Sequence, residues 1–209
     1  MPRCVIIGGA DIGNYDVIRT YLRPDDFVVC CDSGLRHREK LGVAADLIIA
    51  DFDSAENPHL SVETIVLPHE KDDTDSMAAV REMSARGFED FLLIGVFGGR
   101  LDHTLGNVYI LLWLVNHGKH VLAVDDYSEM EMVTPQSEGR VLPLFPYFSL
   151  VAVAGPVHGL TIKNAKYTLE RADVSPEYQY CVSNEPLAGQ IAEISLESGA
   201  MLLIRDRFA

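Results

Sequence analysis

The stretch Phe91-Leu92-Leu93-Ile94-Gly95-Val96 is a short apolar run that is followed, past a glycine-rich turn, by a long helical pattern. The run lacks polar alternation, as expected for a strand of a parallel sheet that is covered on both faces. Beyond the turn, apolar residues recur at the spacing of one helix face, at Leu101, Leu105, Val108, Leu112 and Val115. A strand followed by such a helix predicts one strand–helix unit of an α/β fold.

The rest of the first 125 residues has the same pattern of short apolar runs and helical stretches. Short apolar runs predict further strands over 4–7, 27–31, 47–50, 64–67 and 120–124, and a second helical pattern covers 74–86. Alternating strands and helices predict a mostly parallel sheet with flanking helices. In such a sheet, the ligand site lies at the carboxyl ends of the strands. We therefore expect an α/β domain over 1–125 that carries a ligand site at that edge.

The sequence pattern changes after about Asp126. Six of the ten prolines fall between Pro135 and Pro186, and short strand patterns cover 148–154, 157–163, 167–170, 178–182, 190–196 and 201–205. Ala192 and Ile194 alternate with polar neighbours, which is the half-buried pattern of an antiparallel strand. We therefore predict a smaller, sandwich-like all-β domain over 126–209.

Charge and hydropathy exclude several classes of protein. The chain has 17 Lys and Arg against 31 Asp and Glu, and its formal net charge is −14. This average field repels a polyanion, so we expect no nucleic-acid partner. No apolar run reaches the ~18 residues that a membrane span requires, so we expect no membrane partner either. A small anionic substrate needs a local cation that offsets the carboxylates.

The four cysteines predict a reducing compartment. Cys4, Cys30 and Cys31 lie within apolar strand-like runs, and none of the four, Cys181 included, forms a C-x-x-C pair. The apolar stretch that begins at Cys4 is too short for a secretion signal. We therefore expect a cytoplasmic protein.

Three polar clusters follow predicted strands, which brings them to one edge of the sheet. The first is Asp51-Phe52-Asp53-Ser54, the second is Lys71-Asp72-Asp73-Thr74-Asp75, and the third is Gly98-Gly99-Arg100-Leu101-Asp102-His103 with Asn107 after it. In an extended segment, residues two apart point the same way, so Asp51 and Asp53 can converge on one cation. Each cluster has a simpler alternative. An Asp-x-Asp pair is also typical of a solvated loop, and Asp72, Asp73 or Thr74 can cap the helix that follows.

Together, the clusters indicate magnesium chemistry. Eight carboxylates lie between Asp51 and Asp75, with Lys71 as the only Lys or Arg among them. So many like charges repel one another unless a cation lies between them. An oxygen-rich site suits Mg²⁺, which binds one or two carboxylates together with substrate phosphates, and Arg100 adds positive charge. This combination is typical of nucleotide phosphoryl transfer.

Two further segments are weaker signals. Gly8-Gly9 follows the first strand and could lie against a phosphate chain, although the segment fits neither G-x-G-x-x-G nor the Gly-Lys-Ser/Thr loop. Asp32 follows the second strand and could hold a ribose hydroxyl or cap a helix.

These motifs resemble those of the thiamine pyrophosphokinases, in the same order and over nearly the whole chain. Asp51-Phe52-Asp53-Ser54 is similar to the family's Gly-Asp-Phe-Asp-Ser element, with Ala50 in place of the glycine, and residues 72–75 resemble its Asp-Lys-Thr-Asp-like element. The family's Gly-Gly-Arg-x-Asp-His element is complete at 98–103. In the second domain, 165–169 resembles a Gly-Leu-Lys-Tyr/Trp segment without its glycine, and Ser183-Asn184 resembles a Ser-Asn element near the thiamine site.

The resemblance implies transfer of a pyrophosphoryl group from ATP to the hydroxyl of thiamine, in a Mg²⁺-dependent homodimer. It implies that Asp51, Asp53 and Asp75 hold the metal and that Arg100 stabilises the transferring group. Either Asp102, which we favour, or Asp72 would orient and deprotonate the thiamine hydroxyl. The nucleotide contacts would come from Gly8, Gly9, Asp32, Ser54, Thr74 and Asn107. The thiamine contacts in the second domain would come from Lys166, Ser183 and Asn184.

Two other functions fit parts of the pattern. Asp51-Phe52-Asp53 after an apolar strand also resembles the nucleophile motif of haloacid-dehalogenase-type phosphohydrolases, although here it follows the third predicted strand rather than the first. A nucleotide sensor without catalysis could use the same scaffold, but a pure binder has little need for so many carboxylates beside Arg100 and Asp102.

Overall fold

The computed structural model describes residues 2–52, 61–68, 72–178 and 180–207. The chain divides into two compact units, Met1–Asp126 and Tyr127–Ala209. The sequence-based boundary, after residue 125, lies one residue from this division. Among the described residues, no helix is both long and apolar enough to cross a membrane.

The first unit, hereafter the α/β unit, contains six parallel strands in the order β4-β3-β2-β1-β5-β6. The strands are β1 Cys4–Ile7, β2 Phe27–Cys31, β3 Leu47–Ala50, β4 Glu63–Val66, β5 Asp90–Ile94 and β6 His120–Val124. The helices are α1 Tyr15–Arg19, α2 Arg38–Leu41, α3 Asp75–Ala85 and α4 Leu101–Asn116, with a short 3₁₀-helix over Asp32–His37. Every residue of β1 and β3 is buried, as the unbroken apolar runs predict for a sheet covered on both faces.

The apolar stripe predicted for α4 is not the side that the structure buries. Its first two residues, Leu101 and Leu105, are 69% and 53% exposed, whereas the buried Ile110, Leu111 and Leu114 lie outside the predicted stripe. Most of α4 beyond Gly106 is apolar all around its circumference, so spacing alone did not identify the side that packs on the sheet.

The second unit, hereafter the β unit, is antiparallel. Its strands are β7 Ser128–Val133, β8 Gly139–Val141, β9 Tyr147–Ala152, β10 Val157–Lys163, β11 Leu169–Val174, β12 Ala192–Ser195 and β13 Met201–Asp206. Strand β13 pairs with β7 and β9, and the other four form a sheet in the order β11-β10-β12-β8. One apolar cluster contains residues of both groups of strands, among them Phe148, Leu203, Leu160 and Ile194. The predicted fold class, an α/β sheet followed by a smaller all-β domain, is confirmed.

The strand predictions for the β unit were partly wrong. Among its described residues, segment 178–182 forms no strand and takes part in one isolated bridge, between Ser175 and Tyr178. The sequence analysis also missed β7 and β8, although Glu129, Glu131 and Arg140 alternate there with buried residues. The alternation predicted for β12 is confirmed, because Ala192 and Ile194 are buried while Glu193 is exposed.

Candidate active site

A cleft of about 570 Å³ lies at the carboxyl ends of the parallel strands of the α/β unit. Segments that follow β1, β2, β3 and β5 form its walls, together with the first turns of α3 and α4. The structure brings together in its lining the predicted residues Gly8, Gly9, Asp32, Asp51, Thr74, Asp75, Arg100 and Asn107. Segments separated by up to a hundred residues meet here because parallel strands end at the same edge of the sheet.

Three carboxylates of the cleft lie close enough to share one cation. Asp32, Asp51 and Asp75 each offer an oxygen, and these oxygens lie within 4.8 Å of one another. The Oδ1 atoms of Asp32 and Asp75 are buried. A compact set of oxygen donors without sulfur or nitrogen fits a hard divalent cation. Asp51 and Asp75 were predicted as metal ligands, whereas Asp32 was predicted beside the nucleotide. Asp53 and Ser54 lie outside the described residues.

Unusual backbone conformations place two of these carboxylates. Asp32 has a φ of 42° directly after β2, and Phe52, which follows Asp51, has a φ of 55°. The left-handed region is uncommon for residues other than glycine, and such backbone strain clusters at functional sites. The chain therefore turns sharply as it leaves β2 and β3, and Asp32 and Asp51 stay at the sheet edge.

Glycines allow the loops around the cleft to pack closely. A Cβ at Gly8 would lie 2.6 Å from the carbonyl oxygen of Gly95, and one at Gly34 would lie 2.1 Å from the carbonyl oxygen of Ile7. A Cβ at Gly9 would lie 2.0 Å from Oγ of Ser33. Gly8 and Gly9 therefore line the cleft and are also required by the contact between the loops after β1, β2 and β5.

The Gly98-Gly99 turn leads into α4 at the rim of the cleft. The φ values of Gly98 and Gly99 are 100° and 66°, and the backbone N–H of Gly98 donates to Oγ1 of Thr104 at 3.1 Å. Arg100 is the residue that precedes the first turn of this 16-residue helix. The positive end of the helix dipole and the Arg100 guanidinium therefore lie together at the cleft.

Arg100 and Asp102 form a two-point ion pair. Nη2 of Arg100 donates to Oδ2 of Asp102 at 2.6 Å, and Nε donates to Oδ1 at 3.2 Å. This hydrogen bonding lowers the pKa of Asp102 to about 2. Both side chains are exposed, and only Arg100 is among the described residues that line the cleft.

The segment before α3 has divided roles. Thr74 is the N-cap of α3, because its Oγ1 accepts from the backbone N–H of Met77 at 3.2 Å, and it also lines the cleft. Asp73 pairs with Arg81 at 3.4 Å. Asp72 is exposed and is not among the described lining residues. The capping alternative is thus confirmed for Thr74.

Asn107 is buried, and its position indicates a structural contribution. Its Nδ2 donates to the carbonyl oxygen of Val96 at 2.5 Å. The bond ties the second turn of α4 to the segment that leaves β5. Asn107 therefore helps to fix the Gly98-Gly99 turn, besides lining the cleft.

The sequence analysis assigned no role to several lining residues, including Arg36, His103, Ser33 and Ser76. Arg36 and the buried His37 lie at the end of the same 3₁₀-helix that Asp32 begins. Nε2 of His37 lies 2.9 Å from the carbonyl oxygen of Ala10, and its Nδ1 lies 2.7 Å from the Tyr15 hydroxyl. Burial lowers the pKa of His37. The position of residues 32–37 directly after β2 could have identified Ser33 and Arg36, because segments that follow strands lie at the edge that carries the cleft.

The comparisons with known proteins agree with this geometry. A family model described as "Thiamin pyrophosphokinase, catalytic domain" matches residues 18–123, and "Thiamin pyrophosphokinase, vitamin B1 binding domain" matches residues 129–201. The chain belongs to the thiamin pyrophosphokinase family. The thiamine pyrophosphokinase of Bacillus subtilis (strain 168) is 26% identical over 143 residues. That alignment spans 66% of this chain and 64% of the relative's length.

Solved structures of thiamin pyrophosphokinases share the fold. One from Bacillus subtilis has a TM-score of 0.87 at 21% identity, covering 99% of this chain and 100% of that chain. One from Geobacillus thermodenitrificans has a TM-score of 0.84 at 25% identity, covering 99% and 98%. The yeast structure has a TM-score of 0.79 at 14% identity, covering 99% and 86%.

Asn184, in the region that matches the vitamin B1 binding domain, is hydrogen-bonded to other residues of the β unit. It is buried, its Oδ1 accepts from the backbone N–H groups of Tyr167 and Glu185, and its Nδ2 donates to the carbonyl oxygen of Tyr167 at 2.7 Å. Its backbone also exchanges two hydrogen bonds of 2.8 Å with Phe148. The Asn184 side chain therefore holds the 167 segment in place, whatever contact it makes with a ligand.

The other predicted thiamine residues are exposed. Lys166 donates to Glu185 at 2.6 Å, and this hydrogen bond raises the pKa of Lys166. Ser183 has a φ of 59°, and its backbone N–H donates to Oγ of Ser149 at 3.1 Å. The tyrosines nearby are on the surface as well, since Tyr167 and Tyr178 are 60% and 71% exposed.

Proposed function

We propose that this protein transfers a pyrophosphoryl group from ATP to the hydroxyl of thiamine and releases AMP and thiamine diphosphate. The observation that carries the proposal is the convergence of Asp32, Asp51 and Asp75 with Arg100 in one cleft of a chain from this family. Three carboxylates beside a guanidinium match a substrate whose phosphates arrive with a divalent cation.

Mg²⁺ is the cation that this donor set fits, and Asp32, Asp51 and Asp75 would hold it. When bound, Mg²⁺ neutralises phosphate charge and helps to orient the reacting group. The predicted ligand Asp53 remains part of the proposal. The chain itself supplies Arg100 and the N-terminus of α4 as further positive charge, while Gly8 and Gly9 let the backbone approach the nucleotide.

The reaction forms one bond and breaks one. The thiamine hydroxyl oxygen attacks the β-phosphorus, and the bond from this phosphorus to the oxygen it shares with the α-phosphate breaks, so that AMP leaves with that oxygen. The hydroxyl proton passes to a base on the protein or to water. Asp72 and Asp102 remain the predicted bases. An acid with a pKa of about 2, as for Asp102, is a weak base at neutral pH, so orienting Arg100 is its stronger contribution.

We place the acceptor on the β unit. Thiamine combines a positive thiazolium with a flat pyrimidine, and it suits an aromatic surface with a few polar groups. Tyr167, Tyr178 and Tyr180 are exposed and offer aromatic surface, and Nζ of Lys166 lies 5.7 Å from the centroid of the Tyr167 ring. A β domain can also bury such tyrosines in its core, and the exposure of all three argues against that alternative.

We further infer a homodimer in a reducing compartment such as the cytoplasm. The exposed apolar residues of α4, Leu101, Leu105 and Tyr109, offer a surface that a second copy could cover. All four cysteines are free and buried, as is typical of proteins from reducing compartments.

The test is to incubate the protein with ATP, Mg²⁺ and thiamine and to follow the products by phosphorus NMR. We expect AMP and thiamine diphosphate in equal amounts. ADP with thiamine monophosphate would contradict pyrophosphoryl transfer. Phosphate release without thiamine would indicate the phosphohydrolase, which the family match disfavours, and nucleotide binding without any turnover would indicate a sensor.

A further inference from the structure

The cleft contains a second arginine that the function described so far does not use. Arg36 lines the cleft together with Arg100, and they are the two Lys or Arg residues of the described lining. The lining also contains four carboxylates, those of Asp11, Asp32, Asp51 and Asp75. Arg100 already shares its charge with Asp102. We therefore expect a polyphosphate that enters this acidic cleft to bind both guanidinium groups.

Arg36 is fixed to the glycine turn by one of its terminal nitrogens. Nη2 donates to the carbonyl oxygen of Gly9 at 2.7 Å and to Oδ1 of Asp11 at 2.6 Å. Among the described residues, Nη1 makes no hydrogen bond, so its donors are available to a ligand. An exposed Arg–Asp pair alone would contribute little. The bond to the Gly9 backbone gives this guanidinium a defined position beside the cleft.

The sheet order places the two arginines on either side of the Gly8-Gly9 turn. Strand β1 lies between β2 and β5; Arg36 follows β2, Arg100 follows β5, and the turn follows β1. The three clustered carboxylates follow β2, β3 and β4, so Arg36 lies on their side of the turn. A phosphate chain that crosses the turn therefore meets a guanidinium on each side.

We propose that Arg36 is a second phosphate-binding arginine of the ATP site, held in position by the carbonyl oxygen of Gly9 and the carboxylate of Asp11. The proposal rests on the proposed function for the identity of the nucleotide. Arginine suits the task because its planar fork can donate to the loop from one nitrogen and to a phosphate oxygen from the other. Lysine carries its three donors on a single nitrogen and lacks this two-nitrogen geometry.

The test is calorimetric binding to the full-length protein in the presence of Mg²⁺, with α,β-methylene-ATP, AMP and adenosine as probes. The methylene group replaces the bridging oxygen at the bond that breaks, so the probe is not turned over. For Arg36→Ala, we expect Kd for the triphosphate to rise about tenfold or more, as loss of a charge-assisted contact requires. The rise should be smaller for AMP and absent for adenosine. Arg36→Lys should recover only part of the affinity.

Arg19→Ala is the matched control. Arg19 has a similar side-chain exposure, 45% against 51%, and it also donates to a backbone carbonyl, that of Lys40, and pairs with an aspartate, Asp16. It is not among the described lining residues, so its removal should leave all three Kd values unchanged.

The outcomes separate this proposal from the proposed function. If the wild type makes thiamine diphosphate but Arg36→Ala binds the triphosphate normally, the function stands and Arg36 is not a phosphate ligand. Equal weakening of the triphosphate and adenosine would also overturn the proposal, because it would show that Arg36 only shapes the loop. If the wild type makes no thiamine diphosphate yet binds the triphosphate in an Arg36-dependent way, the phosphate site stands and the proposed reaction fails. A wild type that binds no triphosphate overturns both.

Discussion

The polar residues of the α/β unit and those of the β unit are used differently. In the α/β unit, Asp32, Asp51 and Asp75 come from segments far apart in sequence, and their oxygens meet within 4.8 Å. In the β unit, Lys166 and Asn184 already bind near neighbours, Glu185 and the backbone of Tyr167. Like charges are brought together in one unit, whereas polar groups satisfy one another in the other.

The difference follows from strand direction. Parallel strands end at one edge of the sheet, so every polar segment that follows a strand arrives at the same place. Antiparallel strands end alternately at opposite edges, and their connections bind to one another locally. Carboxylates that are held close together repel one another, and this repulsion is destabilising unless a ligand compensates for it. The clustered charges of the α/β cleft thus indicate a ligand site. The polar groups of the β unit bond to one another and stabilise the surface on which we place thiamine.

The largest expected effect concerns the clustered carboxylates. Asp75→Asn removes one charge from a cluster proposed to hold Mg²⁺, so we expect kcat to fall by about 10²-fold or more. The free energy of unfolding without Mg²⁺ should stay the same or rise, because repulsion with Asp32 and Asp51 is relieved. Steady-state kinetics at saturating Mg²⁺ and thermal unfolding with and without Mg²⁺ measure both effects.

Asp73→Asn is the control for that variant. Asp73 lies two residues away, pairs with Arg81 and is not among the described lining residues. We expect its turnover and its Mg²⁺-dependent Tm shift to match the wild type. Normal turnover of Asp75→Asn, or an equal loss in both variants, would contradict the contrast between the two units.

The next effect concerns stability in the β unit. Asn184→Ala removes a buried side chain that bonds to the backbone N–H and carbonyl oxygen of Tyr167, so we expect it to lower the free energy of unfolding by about 2 kcal/mol. Ser183→Ala is the neighbouring control. Its hydroxyl is exposed, so stability should be unchanged, and KM for thiamine should rise a few-fold if the platform assignment is right.

Urea unfolding of the two variants, with KM for thiamine and for ATP, separates the roles. An Asn184→Ala protein of wild-type stability would show that the bonds to Tyr167 are not what holds this segment. A Ser183→Ala protein whose KM for ATP rises instead would remove the thiamine role from the β unit.

The fold was predictable where local and global preferences agree. The buried strands β1, β2, β3 and β6 have the predicted bounds, because an unbroken apolar run in a parallel sheet has sharp polar ends. In the β unit, β7 was missed although its charged and buried residues alternate, and segment 178–182 has a strand-like sequence without pairing as a strand. Pairing with distant partners decides such segments, and a single sequence does not reveal those partners.

The sequence predicted the kind of site better than it predicted which residues form the site. Strand-end position identified Asp51, Asp75 and Arg100, and the cleft contains all three. The grouping of Asp32 with the metal candidates depends on a left-handed turn after β2, which the sequence does not specify. Arg36 was missed because it enters the cleft from the end of a 3₁₀-helix rather than from a motif.

The smallest expected effect concerns Asp102, which lies in the α/β unit but is satisfied locally, as Lys166 is in the β unit. If pairing with Arg100 is its role, Asp102→Asn should lower kcat about tenfold, less than the 10²–10⁴ typical of a lost general base. The pKa of Asp102 is about 2, so it is ionised at neutral pH and loses its charge only as the pH falls towards that value.

The ratio of mutant to wild-type rates should therefore be constant between about pH 5 and about pH 9, a range in which Asp102 does not titrate. Asp102→Glu should recover part of the rate, because it keeps a carboxylate near Arg100. Rates measured across this range decide the question. A loss above about 10³-fold for Asp102→Asn, with no recovery in Asp102→Glu, would identify Asp102 as the base that accepts the hydroxyl proton. Asp102 would then act on the substrate despite its ion pair with Arg100. An ion pair with a neighbouring side chain would therefore not exclude a catalytic role.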